Sequence, residues 1–174
     1  KCLSVPIGID PARFEPPTQP NAGPPTLLFV GRLRYYKGLD TLLQALAALP
    51  GVHLKIAGEG PLGDSLQAQA QSLNITDRVH FLGEVADAVL PNVYRQAHVF
   101  VLPSNARAEA YGIVLLEAMA SGLPCVTTEV GTGTSWIVQD GVSGLVVHPQ
   151  DPMAQAAALT RLLAHAGLRR RMGQ

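Results

Sequence analysis

Two carboxylates, Glu109 and Glu117, stand eight residues apart in SNARAEAYGIVLLEAMASGLPCV, residues 104–126. The run GIVLLEAMA is apolar apart from Glu117, and Glu109 comes just before the helix that this run predicts. A helix that is apolar all round is buried, so its one carboxylate must be paired, protonated or liganded. The neighbours of Glu117 at i−4 and i+4 are Ile113 and Ser121, so no cation on its own helix answers it. An eight-residue offset corresponds to about 12 Å of helix axis. Glycosidase carboxylate pairs need roughly 5–9.5 Å, so these two do not readily form a single acid–base pair. They suit two ends of one extended ligand. Between them, the N–H groups of Ala110, Tyr111, Gly112, Ile113 and Val114 open the helix, a ready site for an anion. A ligand with polyhydroxylated ends and an anionic middle is a nucleotide-sugar.

Two further stretches carry chemistry. In GRLRYYKG (31–38), Arg32 and Lys37 lie in one loop between Gly31 and Gly38. They are either solvated surface charges or a diphosphate clamp, the guanidinium forking onto two oxygens and the ammonium acting as a point charge. GEGPLG (58–63) fits G-x-G-x-x-G, and Glu84 follows Gly63 by 21 residues, where a ribose-binding acid of a dinucleotide site would belong. The other reading is a tight strand-to-helix turn with Pro61 starting the helix. Dinucleotide binding gives no reason for the Arg32/Lys37 loop or for the two acids.

The elements that must position these groups alternate. Short β-rich runs, TLLFV (26–30), VHLKIA (52–57), RVHFLG (78–83), HVFVLP (98–103), PCVTTEV (124–130) and GLVV (144–147), are separated by helical patterns. Helices are predicted near 38–49, 61–73, 86–96, 112–121 and from about Pro152 onward. Repeated strand–helix–strand units imply right-handed crossovers and a parallel sheet covered on both faces, a doubly wound α/β domain of Rossmann-like type. Such sheets bind ligands beyond the carboxyl ends of their strands, where all the loops above lie.

Bulk properties bound the rest. The chain has 174 residues, 47% of them hydrophobic, with Lys+Arg and Asp+Glu balanced at 13 each, so no net field points to nucleic acid or an anionic membrane. The apolar runs fall short of the ~18 residues of a membrane span. Cys2 and Cys125 make no CxxC motif, and a cytoplasmic setting is expected. The histidines at 53, 80, 98, 148 and 165 lack metal-ligand spacing, so no metal is expected. Half of the 14 prolines fall within residues 6–25, which marks 1–25 as a lead-in or linker and 26–174 as the domain proper. Both ends read as cut from something larger.

Taken in order, PIGID, GRLRYYKG, GEGP, FLG, LPS, EAYGIVLLEAMASGLPCV and DGVSGLVV resemble the retaining nucleotide-sugar glycosyltransferases of the GT-B fold, in the E-x7-E group that includes glycogen and sucrose synthases. The resemblance covers the C-terminal, donor-binding half of such an enzyme. It implies that an N-terminal domain, which would bind a glycan or lipid acceptor, is missing, and that the fragment alone is inactive. Any peripheral contact with the inner face of a membrane would also belong to that domain. It implies a UDP-, GDP- or ADP-sugar donor, with no separate cofactor and no nucleic acid. Arg32 and Lys37 would hold the diphosphate, Glu109 hydroxyls of the transferred sugar, and Glu117 the ribose. The backbone of Ala110 to Val114 would meet phosphates and sugar. The turn from Gly83 to Val85 would lie beside the base, and Gly58 and Gly60 would let the chain pass close to the nucleotide. The chain departs from the pattern at His98, where an Asp is common, and in VGTGTSWIV, where a Gly-Gly-x-x-Glu turn is common. The competing functions are a nucleotide-sugar epimerase, a dinucleotide-binding oxidoreductase domain and a non-catalytic nucleotide-sugar sensor.

Overall fold

The computed structural model describes residues 8–19 and 21–174, so Pro6 and Ile7 of PIGID, and Cys2, lie outside the described residues. Six strands form one sheet: β1 (Thr26–Val30), β2 (His53–Ala57), β3 (Val79–Gly83), β4 (Val99–Leu102), β5 (Cys125–Thr128) and β6 (Gly144–Val147). Among the described residues, seven α-helices connect and follow them: α1 (Leu39–Ala47), α2 (Gly63–Ser72), α3 (Leu90–Arg95), α4 (Ile113–Ala120), α5 (Gly133–Ile137), α6 (Pro152–Ala164) and α7 (Ala166–Met172). The strand order is β3-β2-β1-β4-β5-β6 and every pairing is parallel, as the alternating pattern requires. The order reverses between β1 and β4, which makes the gap above those two strands the topological switch point.

The three most enclosed strands, β1, β4 and β5, are buried at every residue, because helices cover both faces there. Helix α1 packs beside α2 and α6 on one face. On the other, α4 packs beside α5 and reaches α3 through Tyr94, whose ring also lies 5.7 Å from Phe100 of β4. The described part of the Pro-rich lead-in, residues 8–19 and 21–25, is laid on this second face. Its Phe14 is buried edge-on against Tyr94, with ring centroids 5.6 Å apart. His98 ties down the segment's later part: its Nδ1 accepts from the Thr26 N–H at 3.1 Å, and its Nε2 meets the Asn21 carbonyl at 3.2 Å. The position that commonly holds an Asp therefore holds a two-ended backbone clamp.

Several helix ends differ from expectation, each for a local reason. Pro61 does not start α2. The Leu62 N–H donates to the Leu33 carbonyl and the Gly63 N–H to the Gly60 carbonyl, so residues 60–62 form a turn locked to the loop after β1. Helix α3 begins at Leu90 and not Ala86, after a turn in which the Val89 N–H donates to the Ala86 carbonyl. The C-terminal helical run is two helices: it breaks at His165, and the Arg169 guanidinium caps the carbonyls of Leu162 and Leu163. Helix α4 is also less buried than its composition suggests. Only Leu115 and Ala118 are fully covered, the two residues that α4 turns most directly onto the sheet and its neighbours.

Candidate functional site

The site is built at the switch point by two loops that touch. Gly38 sits at φ +66°, and a Cβ there would stand 2.0 Å from the Pro103 carbonyl oxygen, so only glycine lets the loop after β1 close on the loop after β4. The Asn105 N–H donates to the Tyr36 carbonyl at 2.8 Å, and its side-chain amide donates to the Tyr35 carbonyl at 3.1 Å. This contact carries Lys37, at the end of the turn Tyr35–Lys37, onto Glu109. Lys37 Nζ stands 2.5 Å from Glu109 Oε2, with Lys37 only 8% and Glu109 only 7% exposed. The Ser104 hydroxyl donates to the same carboxylate oxygen at 3.2 Å. Behind Glu109, the Thr132 hydroxyl donates to its carbonyl at 2.7 Å, and the Gly133 N–H donates to the Ala110 carbonyl at 3.0 Å. The loop after β5 is thereby stitched to the Glu109 loop.

Beside this pair, Gly112 turns the chain into α4 at φ +83°, and no side chain caps the helix. The first-turn N–H groups of Ile113 and Val114 therefore have no intrahelical acceptor. The Tyr111 ring faces that of Trp136 across 6.5 Å. Further along α4, Glu117 is half-buried and accepts a 2.7 Å hydrogen bond from the Tyr94 hydroxyl. Burial, and secondly the Glu117 charge, push the Tyr94 phenol far above its ordinary range, so it stays protonated and donates. The helix acid is thus answered by a tyrosine 23 residues away in sequence.

On the other side of the switch point, a cleft of about 970 Å³ opens over the ends of β1, β2 and β3. Arg32, Gly58, Gly60, Gly83 and Val85 line it, together with Glu59, Asp64, Gln67, Phe81, Glu84 and Leu90. Lys37, Glu109 and residues 110–117 are not among its walls. Arg32 is exposed and makes no ion pair among the described residues, whereas Lys37 is buried on Glu109. The two cations are therefore not equivalent. Only Arg32 is free to meet an incoming anion without breaking an ion pair.

Two glycines of the G-x-G-x-x-G match have a structural reason in their neighbours. A Cβ on Gly58 would come within 2.2 Å of the Gly31 carbonyl oxygen, and one on Gly60 within 2.5 Å of that of Leu33. These glycines allow a loop–loop approach, and Gly63 meets nothing closer than 4.0 Å. Nothing in the sequence singles out Tyr94; in the structure it is a buried phenol on α3, which needs a hydrogen-bond partner. Among the described residues, no group of three or more His, Cys, Asp and Glu side chains gathers as a metal site. No helix described is long and apolar enough to cross a membrane.

The family profile described as "Glycosyl transferases group 1" matches residues 12–174. The chain belongs to that family. Among its relatives, the group 1 domain is 43% identical over 152 residues to the D-rhamnosyltransferase WbpZ of Pseudomonas aeruginosa, covering 87% of this chain and 39% of that protein. It superposes on sucrose-phosphate synthase from Thermosynechococcus elongatus with a TM-score of 0.88 at 33% identity, over 97% of this chain and 45% of that one. It also superposes on Anabaena Alr3699/HepE, solved with UDP and glucose, with a TM-score of 0.87 at 25% identity, over 96% of this chain and 48% of that one. The same Anabaena protein has been solved with UDP-glucose. The chain spans half or less of the length of the curated relatives it matches first.

Proposed function

We propose that this group 1 domain binds the nucleotide-sugar donor of a retaining glycosyltransferase, whose acceptor is bound by protein outside these 174 residues. The observation that carries the reading is the buried Lys37–Glu109 pair at the switch point, with the uncapped α4 N-terminus on one side and the Arg32-rimmed cleft on the other. A donor laid along this edge puts its base in the cleft beside Gly83 and Val85. Its diphosphate then lies between Arg32, Lys37 and the N–H groups that open α4, and its sugar at Glu109. Glu117, oriented by Tyr94, takes the ribose hydroxyls. The complex of the Anabaena protein with UDP-glucose supports a donor of this class. When the bond from the anomeric carbon to phosphate breaks, charge grows on the departing diphosphate, and the two cations stabilise it there. Positioning two reactants supplies about 7–11 kcal/mol of a barrier, and a domain holding only the donor does not supply it. The 174 residues alone are therefore assigned donor binding without transfer.

Calorimetric titration of UDP, GDP, ADP, NAD and the phosphate-free nucleosides into the chain tests this. At least one diphosphate binds, nucleosides bind far more weakly, and NAD does not compete. Tight NAD binding, or no response to any diphosphate, would sink the assignment.

A further inference from the structure

Trp136 is the chain's one tryptophan, and it is 65% exposed. A lone exposed apolar side chain needs no explanation, but this one is neither lone nor loosely held. It rides on α5, which is anchored from below by buried Thr134 and Ile137 and by the Thr134 hydroxyl donating to the Thr128 carbonyl at 3.3 Å. The loop leading into α5 is bonded to the backbone of Glu109 and Ala110, as described above. A Cβ on Gly133 would stand 2.8 Å from the Tyr111 ring, so that ring lies directly against the loop. The Tyr111 and Trp136 rings meet at 38° with centroids 6.5 Å apart, a tilted pair with the indole the more exposed of the two. Ile113, 39% exposed, adds an apolar side chain from the first turn of α4. The indole N–H donates to no protein acceptor among the described residues.

We infer that Trp136 and Tyr111 form an aromatic cradle for the C–H face of a pyranose ring, the sugar carried by the donor. This rests on the donor-binding reading above. Along the sheet edge, the cleft lies over β3, β2 and β1, the Lys37–Glu109 pair between β1 and β4, and the cradle after β5. A donor whose base fills the cleft and whose diphosphate meets the cations carries its sugar toward β5. One face of a hexopyranose is apolar and its rim is polar. The exposed indole and the half-buried Tyr111 ring beside it match the face, while Glu109 and the indole N–H match the rim. Tryptophan and tyrosine suit such a role because each offers a large rigid surface with a polar tip. The same contact serves a saccharide acceptor equally well in chemical terms, so the test separates the two sources.

Because no other tryptophan is present, emission excited at the indole reports on this position alone. UDP, GDP, UDP-glucose, GDP-mannose and free methyl glycosides are titrated into the chain, with calorimetry and fluorescence read together. The expected result is that a diphosphate binds with no change in emission, while its NDP-sugar binds and shifts or quenches it. Trp136→Ala weakens the NDP-sugar by about tenfold or more and leaves the diphosphate unchanged. Trp136→Phe, which keeps a ring, restores most of the loss and separates stacking from misfolding. An NDP-sugar that binds Trp136→Ala as it binds wild type, with silent emission in the wild type, would overturn the cradle. Emission that answers methyl glycosides alone would overturn the donor assignment in favour of the acceptor. A chain that binds no diphosphate would remove the donor reading itself, an outcome distinct from either.

Discussion

Removing Lys37 should do more harm than removing Lys37 and Glu109 together. At 2.5 Å, two unit charges in an effective dielectric of 20 attract by about 7 kcal/mol. Burying each ion costs several kcal/mol, so the intact pair is close to neutral for stability, and its importance appears only when one partner goes. Lys37→Met leaves a carboxylate 7% exposed with the Ser104 hydroxyl as its remaining donor among the described residues. The expected cost is about 3–5 kcal/mol. At roughly 2–4 °C per kcal/mol for a chain of this size, that lowers Tm by about 6–20 °C. Glu109→Gln should cost less, about 1–3 kcal/mol, since the amide oxygen still accepts and the lysine stem is long enough to turn its ammonium toward water. The double variant removes both charges and should lie near the milder single one, giving a coupling energy of at least about 2 kcal/mol. Urea melts of the four proteins measure this directly. Destabilisations that add within about 0.5 kcal/mol would mean that the ion pair does not exist in solution, and the picture of a pre-paired switch point would fail.

The other predictions bear on separate parts of the site. Arg32→Ala, at an exposed side chain with no ionic partner among the described residues, should change stability by less than about 0.5 kcal/mol. It should weaken UDP, GDP and ADP by one common factor of about tenfold or more, shrinking as salt is raised, and a base-dependent loss would count against it. Glu117→Gln keeps an acceptor for the Tyr94 hydroxyl and should melt near wild type while binding ribose diphosphates about 10–100-fold more weakly. Deoxyribose analogues weakened by the same factor would return Glu117 to a purely structural role. Gly58→Ala drives a Cβ to 2.2 Å from the Gly31 oxygen at φ +127° and should cost more than about 2 kcal/mol, read by urea denaturation. Burial holds His98 below its ordinary value of 6.5, so the unfolded chain binds the extra proton first as pH falls. Its stabilising contribution is complete above about pH 6.5 and is lost as pH falls through the lowered folded value. His98→Asn should flatten that slope, and melts over pH 5–7 that coincide for the two proteins would refute it.

What could be read from the sequence was mostly what local chemistry decides. β1 is an apolar β-rich run closed by a glycine, and its predicted bounds, Thr26–Val30, match the structure. Glu109, Lys37 and Arg32 stand out because charge at a strand end needs a reason. That Lys37 and Glu109 meet was not legible, since they are 72 residues apart and joined by a glycine-dependent contact between Gly38 and Pro103. The same holds for Tyr94 and Glu117. The misread helix ends share a cause as well: at Pro61 and at His165, hydrogen bonds from distant or back-reaching groups override local propensity.

The loops after the first three strands are bonded to one another as strands are. The Gly31 N–H donates to the Ala57 carbonyl, that of Leu33 to Glu59, that of Leu62 to Leu33, and that of Gly58 to Gly83. This backbone mesh makes the floor of the cleft an extension of the sheet, already ordered before any ligand arrives. A nucleotide settling there would freeze few main-chain torsions, so the entropy lost on binding should come mainly from the ligand and from exposed side chains such as Arg32 and Glu84. The mesh also divides the labour of substitution. Side chains on the floor are free to change base preference while the backbone stays fixed, but Gly58 and Gly60 beneath them are not, because each is a crossing point where two stretches of backbone pass within reach.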